Sequence, residues 1–218
     1  VTDSGTFRIL KHGETVGEIR VDDLVDGCPL YDLDPQEPAE WTYANRETIE
    51  ADASPSDIAL SLLASPSIAS KRWAFDQYDS IVGSRTVHRA GTADAAVLNI
   101  PESNRAIAIS IDGNGRRVAC DPFQGTVEAT LECAANLAVV GAEPLGVTNC
   151  LNFGNPEKPG VAWQLGRAVD GLAAACNALE APVVGGNVSL YNETPQGPIY
   201  PTPVVGMVGE LPDPAHVA

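Results

Sequence analysis

Between residues 145 and 184 the chain runs strand, long helix, strand, and this order constrains the fold more than any other feature. Leu145–Cys150 has the short apolar character of a strand. Val161–Leu179 reads as a long helix whose Ala173-Ala174-Ala175 run suits close packing. Pro182–Val184 reads as the next strand and leads into a glycine pair. The same alternation begins upstream. Ala95–Ile100 and Ala106–Ile111 read as strands joined by a turn around Glu102-Ser103-Asn104. Thr126–Val140 reads as a helix rich in small residues, with Gly141 placed as its stop. Val204–Val208 gives another strand. Because several strands follow one another directly, the sheet is expected to be mixed rather than purely parallel, in an α+β or α/β domain.

The first thirty residues have a different texture. Thr6–Leu10 and Val16–Val21 alternate at period two around Gly13, which predicts a β-hairpin. A lone hairpin is too small to be stable, so the chain is expected to be cut from a longer polypeptide. Residues 27–56 are rich in Pro, Asp and Glu and read as a linker. Ser54-Pro55-Ser56-Asp57 then offers a cap, a first-turn proline and an acid at the positive end of a helix dipole. The helix is expected to reach about Ala64, with a second short one near residues 70–79. His88 falls at a strand edge with no acid or nucleophile placed to make it catalytic.

Charge and cysteine usage exclude several classes. The 29 acidic residues outnumber the 13 Lys and Arg, for a net charge of −16. A nucleic-acid partner needs clustered cations, which this chain lacks. An acidic protein can still hold a phosphorylated ligand through backbone N–H groups and a metal ion. The five cysteines are odd in number and form no CxxC, so neither a disulfide framework nor a zinc site is expected. That fits a reducing, cytoplasmic setting. No apolar run is long enough to suggest a membrane span.

Three stretches carry possible chemistry. In Val184-Gly185-Gly186-Asn187-Val188-Ser189, two glycines let a ligand approach the backbone, and Asn187 offers a hard oxygen suited to Mg2+. Ser189 shares the face of Asn187 if the stretch is extended. The same residues also make a plain turn. The amide-dense run Val147–Pro156 can hydrogen-bond a ligand without adding charge, or can simply be a loop of Asx-turns. Ile111-Asp112-Gly113-Asn114-Gly115, with Asp121 beyond, can hold a metal-bound phosphate or form a hairpin-like turn.

Longer strings decide among these readings. Cys150-Leu151-Asn152-Phe153-Gly154-Asn155-Pro156-Glu157-Lys158-Pro159, Val184–Glu193 and Ile199–Gly209 together resemble phosphoribosylformylglycinamidine synthase in content, order and spacing. Ser67-Ile68-Ala69-Ser70-Lys71 and Tyr78-Asp79 fit the same family. Aminoimidazole ribonucleotide synthetase, thiamine-monophosphate kinase and selenophosphate synthetase share its fold but not these strings, which disfavours a small-molecule kinase.

The resemblance implies an ATP-dependent C–N ligase of purine biosynthesis. It converts formylglycinamide ribonucleotide and glutamine-derived ammonia to the amidine, with ATP and Mg2+. It further implies two similar halves that share one active site. Residues 1–30 then correspond to the tail of a preceding domain and 31–70 to a linker and helix. Residues 71–211 correspond to an aminoimidazole ribonucleotide synthetase N-terminal-like domain, and 212–218 to the link onward. By position, Asn149 and Gly186 are expected to contact ATP, Asn187 to ligate Mg2+, and Ser189 to contact the ribonucleotide. Asn149 stands where some members carry Asp. Asp112 and Asp121 are candidates for an auxiliary nucleotide site. No catalytic residue is expected here, because the family's histidines and its glutaminase triad lie outside this sequence. The expected partners are the missing first half, a glutaminase domain or subunit and, for the chain alone, a second copy. The sheet is expected to have four strands with helices on one face. A competing expectation is a non-catalytic structural module without nucleotide affinity.

Overall fold

A computed structural model describes residues 2–39, 52–213 and 215. The parts of the expected linker and of the expected C-terminal link that fall on residues 40–51, 214 and 216–218 lie outside them. The chain forms two compact units, Val1–Leu33 and Asp34–Ala218.

In the first unit β1 (Thr6–Lys11) pairs antiparallel with β2 (Glu14–Arg20), and α1 (Val21–Leu24) follows. His12 (φ 53°) and Gly13 (φ 88°) make the two-residue turn. Positive φ at both positions matches the twist of hairpin strands. Arg8 Nε and Glu18 Oε2 pair across the hairpin at 2.6 Å. Phe7, Ile9, Leu10 and Val16 remain largely exposed.

The second unit opens with α2 (Pro55–Ala64), whose N-cap Ser54 accepts the Asp57 N–H at 3.1 Å. Next come α3 (Arg72–Phe75), β3 (Thr86–His88), β4 (Ala96–Ile100), β5 (Arg105–Asp112), α4 (Gly115–Cys120) and α5 (Pro122–Val139). They lead into β6 (Glu143–Asn152), α6 (Pro159–Ala178), β7 (Val183–Ser189), the small pair β8 (Glu193–Thr194) and β9 (Gly197–Pro198), and β10 (Thr202–Leu211). The main sheet has six strands in the order β3-β4-β5-β10-β6-β7, not four. Among the described residues only β6 and β7 pair in parallel, joined through α6. The sheet is therefore mixed, as the strand-after-strand pattern implies.

Three segments differ from their sequence reading. The Gly185-Gly186-Asn187 stretch is not a turn, because β7 continues through it to Ser189. Its partner β6 lies 30-odd residues upstream, and that pairing overrides the local turn propensity of Gly-Gly-Asn. Ile111–Arg117 is not a hairpin-like turn either. β5 ends at Asp112, and Asn114 caps α4 by accepting the Arg117 N–H at 3.2 Å. Finally, α5 begins at Pro122 rather than near Thr126, because Asp121 caps it and proline fits its first turn.

The core lies between the sheet and the α5–α6 layer. Leu137 and Cys133 of α5, with its C-cap Val140, meet Ala106, Ala108, Val147, Val205, Met207 and Leu211 of the strands. Leu172 and Cys176 of α6 join the same cluster, while Val161 and Ala168 pack with Leu151 and Phe153. The other face of the sheet carries a cross-strand series. Ile109 stands between Ala96 and Val208, and Ile107 between Leu98 and Glu210. Ile111, next on that face, is 68% exposed, and none of these isoleucines joins a buried cluster.

Candidate functional site

In open α/β sheets ligands collect outside the carboxyl ends of parallel strands. Among the described residues the β6–α6–β7 unit supplies the one such place in the main sheet, and the expected residues lie on it. Asn149 is the cross-strand partner of Gly186. A Cβ at position 186 would lie 2.6 Å from Asn149 Oδ1 and 2.7 Å from its carbonyl oxygen. Only glycine lets the Asn149 amide rest there. The structure thus brings together the two residues expected at ATP.

Cys150 pairs with Asn187 and Asn152 with Ser189. Strand alternation sets these four on one face and Asn149 and Gly186 on the other. The candidates therefore straddle an exposed edge strand, two on each side, and form a wall rather than an enclosed pocket. Asn152 Nδ2 donates to the Cys150 and Thr202 carbonyls, both at 3.0 Å, and so ties β6 to β10.

Beyond the strand ends the continuations of β6 and β7 stay in register. The Phe153 N–H donates to the Ser189 carbonyl, and the Tyr191 N–H to the Gly154 carbonyl, both at 3.0 Å. Asn192 Nδ2 donates to the Ser189 carbonyl at 2.9 Å, to Ser189 Oγ at 3.1 Å and to the Phe153 carbonyl at 3.1 Å. Glu193 Oε1 accepts the Asn155 N–H at 3.0 Å, and Lys158 Nζ reaches both carboxylate oxygens at 2.8 Å. Lys158 first, and the Asn155 N–H second, hold the Glu193 carboxyl below its usual range. In the sequence Asn192 and Glu193 stand within the Val184–Glu193 string with no role evident for either. Their partners on the Phe153–Lys158 loop lie 35 to 39 residues away, and no local pattern encodes them.

Asp112 and Asp121 are not brought together. Asp112 Oδ2 accepts from Ser110 Oγ at 2.8 Å and from Asn136 Nδ2 at 3.0 Å. Asp121 caps the start of α5, accepting the Gln124 N–H at 3.0 Å. Asn136 lies on that same helix, 136 − 121 = 15 positions later, about 22 Å along its axis at 1.5 Å per residue. One phosphate cannot touch both carboxylates.

Among the described residues no three His, Cys, Asp or Glu side chains converge on a metal position. Asn187 alone can still serve Mg2+. The ion favours hard oxygen, keeps several waters, and takes the rest of its shell from substrate phosphates. A cavity of about 1060 Å3 lies elsewhere, lined by Lys71, Phe75, Tyr78, Arg89 and Gly91. Its Lys71 ammonium is already held by the Pro66 and Ala69 carbonyls, so the cavity is not the better candidate. No helix among the described residues is long and apolar enough to cross a membrane.

Comparison with known proteins shows the family to which the chain belongs. Residues 92–211 match the family described as AIR synthase related protein, N-terminal domain. The chain is 48% identical over 216 residues to phosphoribosylformylglycinamidine synthase subunit PurL of Moorella thermoacetica, covering 98% of this chain and 29% of that protein. T. maritima PurL complexed with ATP superposes with a TM-score of 0.71 at 30% identity, covering 99% of this chain and 33% of the other. T. maritima PurL complexed with FGAR gives 0.68 at 30% identity, covering 99% and 32%. The chain spans less than a third of the length of the Moorella relative.

Proposed function

The chain belongs to the AIR synthase-related family, and from that we propose that it forms one wall of the ATP and ribonucleotide site of a phosphoribosylformylglycinamidine synthase. The observation that carries this reading is the seating of Asn149 against Gly186 on a parallel strand pair, with Asn187 and Ser189 displayed on its opposite face. Gly186 serves the nucleotide by making room for the Asn149 amide, which hydrogen-bonds it without adding charge. Asn187 would hold Mg2+ through its side-chain oxygen, and the ion would supply charge neutralisation to the phosphates. The Ser189 hydroxyl orients formylglycinamide ribonucleotide, whose amide oxygen ammonia-derived nitrogen replaces as one ATP is hydrolysed. Proton handling falls to residues of another half, so the chain by itself forms no amidine.

The same reading assigns residues 1–30 to the tail of a preceding domain and 71–211 to the ATP-site domain. It makes the glutaminase and the first half of the enzyme its partners in the cytoplasm. The open, isoleucine-bearing sheet face is where the other half, or a second copy of the chain, docks. For Asp112 and Asp121 separate structural roles are the better proposal, since their known contacts already engage both carboxylates.

Calorimetry with Mg-ATP tests the proposal. The chain is expected to bind, and Asn187→Ala to weaken binding roughly tenfold, the size expected for losing a contact to a charged group. Absence of heat from the native chain would favour a purely structural module.

A further inference from the structure

We propose that Glu193 is a positioning residue: its carboxylate clamps the loop Phe153–Lys158 to the segment Ser189–Asn192 and so fixes the Ser189 hydroxyl. This rests on the reading of Ser189 as a ribonucleotide contact. The argument begins at the strand ends, where β6 and β7 stop pairing as strands and their continuations would otherwise part. Three backbone bonds keep them in register: Phe153 to Ser189, Tyr191 to Gly154, and Asn192 to Phe153. Asn192 adds three side-chain bonds, one of them directly to Ser189 Oγ. The next residue, Glu193, reaches back across the gap to the Asn155 N–H and Lys158 Nζ.

Two further features show that the closure is built. A Cβ on Gly154 would lie 2.6 Å from Pro198 Cβ and 3.3 Å from Glu193 Oε1, so the loop meets the β8–β9 pair without room for a side chain. Tyr191 adopts φ 59°, a conformation costly for a bulky residue, and its hydroxyl donates to Glu157 Oε1 at 2.9 Å. Both ends of the loop are therefore tied to the segment that carries Ser189. A carboxylate that accepts two bonds from Lys158 and one from backbone holds far better than a neutral acceptor.

The test uses this chain, with amide hydrogen exchange and ligand titration run on Glu193→Ala and Glu193→Gln. Glu193→Ala is expected to speed exchange at Phe153, Tyr191 and Asn192 by roughly tenfold, while amides in the middle of α5 and α6 stay unchanged. Glu193→Gln keeps an acceptor for Asn155 and should recover part of that loss. Ribonucleotide affinity should fall in Glu193→Ala while Mg-ATP affinity holds, a split that general destabilisation cannot produce. Exchange faster at Asn155 alone would overturn the clamp. A native chain that takes up no ribonucleotide would remove the role of Ser189, yet the exchange data would still decide the clamp. Equal ribonucleotide affinity in native chain and Glu193→Ala would overturn the positioning role.

Discussion

Cys133 of α5 is fully buried and its Sγ donates to the Val205 carbonyl at 3.2 Å. Burial first, and the hydrogen bond to Asp112 second, push its pKa from 9.0 up to about 12. The thiolate is the reactive form, so Cys133 is chemically silent in the native chain. A thiol reagent at about pH 8 should label exposed Cys28 and spare Cys133 until the chain is denatured. Labelling of native Cys133 at the rate of Cys28 would contradict this placement. The pH consequence has a definite sign. The folded state holds this proton more tightly than the unfolded state, so the group penalises folding only as pH rises from about 9 towards about 12. Alkaline loss of stability should therefore be smaller in Cys133→Ala than in the parent, measured by urea unfolding across that window. Asp112 shows the same logic at a residue that sequence alone could not interpret. Its carboxylate serves Ser110 and Asn136, and Asn136 is distant in the chain.

At the scale of elements, the close approach of α5 and α6 depends on one position. A Cβ at Gly171 would overlap the Phe123 carbonyl oxygen and lie 3.1 Å from its carbonyl carbon, both rigid backbone. Gly171→Ala is expected to lower stability by about 1–3 kcal/mol, the usual cost of overpacking, despite alanine's better helix propensity. Urea unfolding measures this, and a variant as stable as the parent would show that the helices shift apart freely.

Elements differ in how far they were legible for the same reason. The start of α2 could be read directly because Ser54, Pro55 and Asp57 are local capping chemistry. The hairpin of residues 6–20 was likewise local, its turn set by Gly13. The extent of β7 was not legible, because what makes Gly185-Gly186-Asn187 extended is β6, reached only after α6. The short strand β3 depends in the same way on β4. In the candidate site, Asn187 and Ser189 were visible as chemistry at strand spacing. The seat of Asn149 on Gly186 and the reach of Glu193 to Lys158 depend on tertiary pairing.

For the whole molecule, the asymmetry of the main sheet matters most. One face is sealed by α5 and α6, while the other carries exposed Ile111 and half-buried Ile107 and Ile109 beside half-buried Leu98, Val204 and Val208. Contiguous apolar surface of this kind marks an interaction site in a soluble protein. In the proposed enzyme the other half covers it, and in the chain alone a second copy is the available cover. A stable interface needs about 800 Å2 from each partner, and a two-fold pairing lets one patch serve both sides. Sedimentation velocity should therefore give a dimer for the native chain. Ile109→Lys, which sets a charge between Ala96 and Val208 at the middle of that face, should shift it to monomer with its circular dichroism unchanged. The substitution lies opposite the α5–α6 core, so folding and assembly are separable in this variant. A native chain that sediments as a monomer at every concentration would defeat the pairing and leave the isoleucine face without its proposed role.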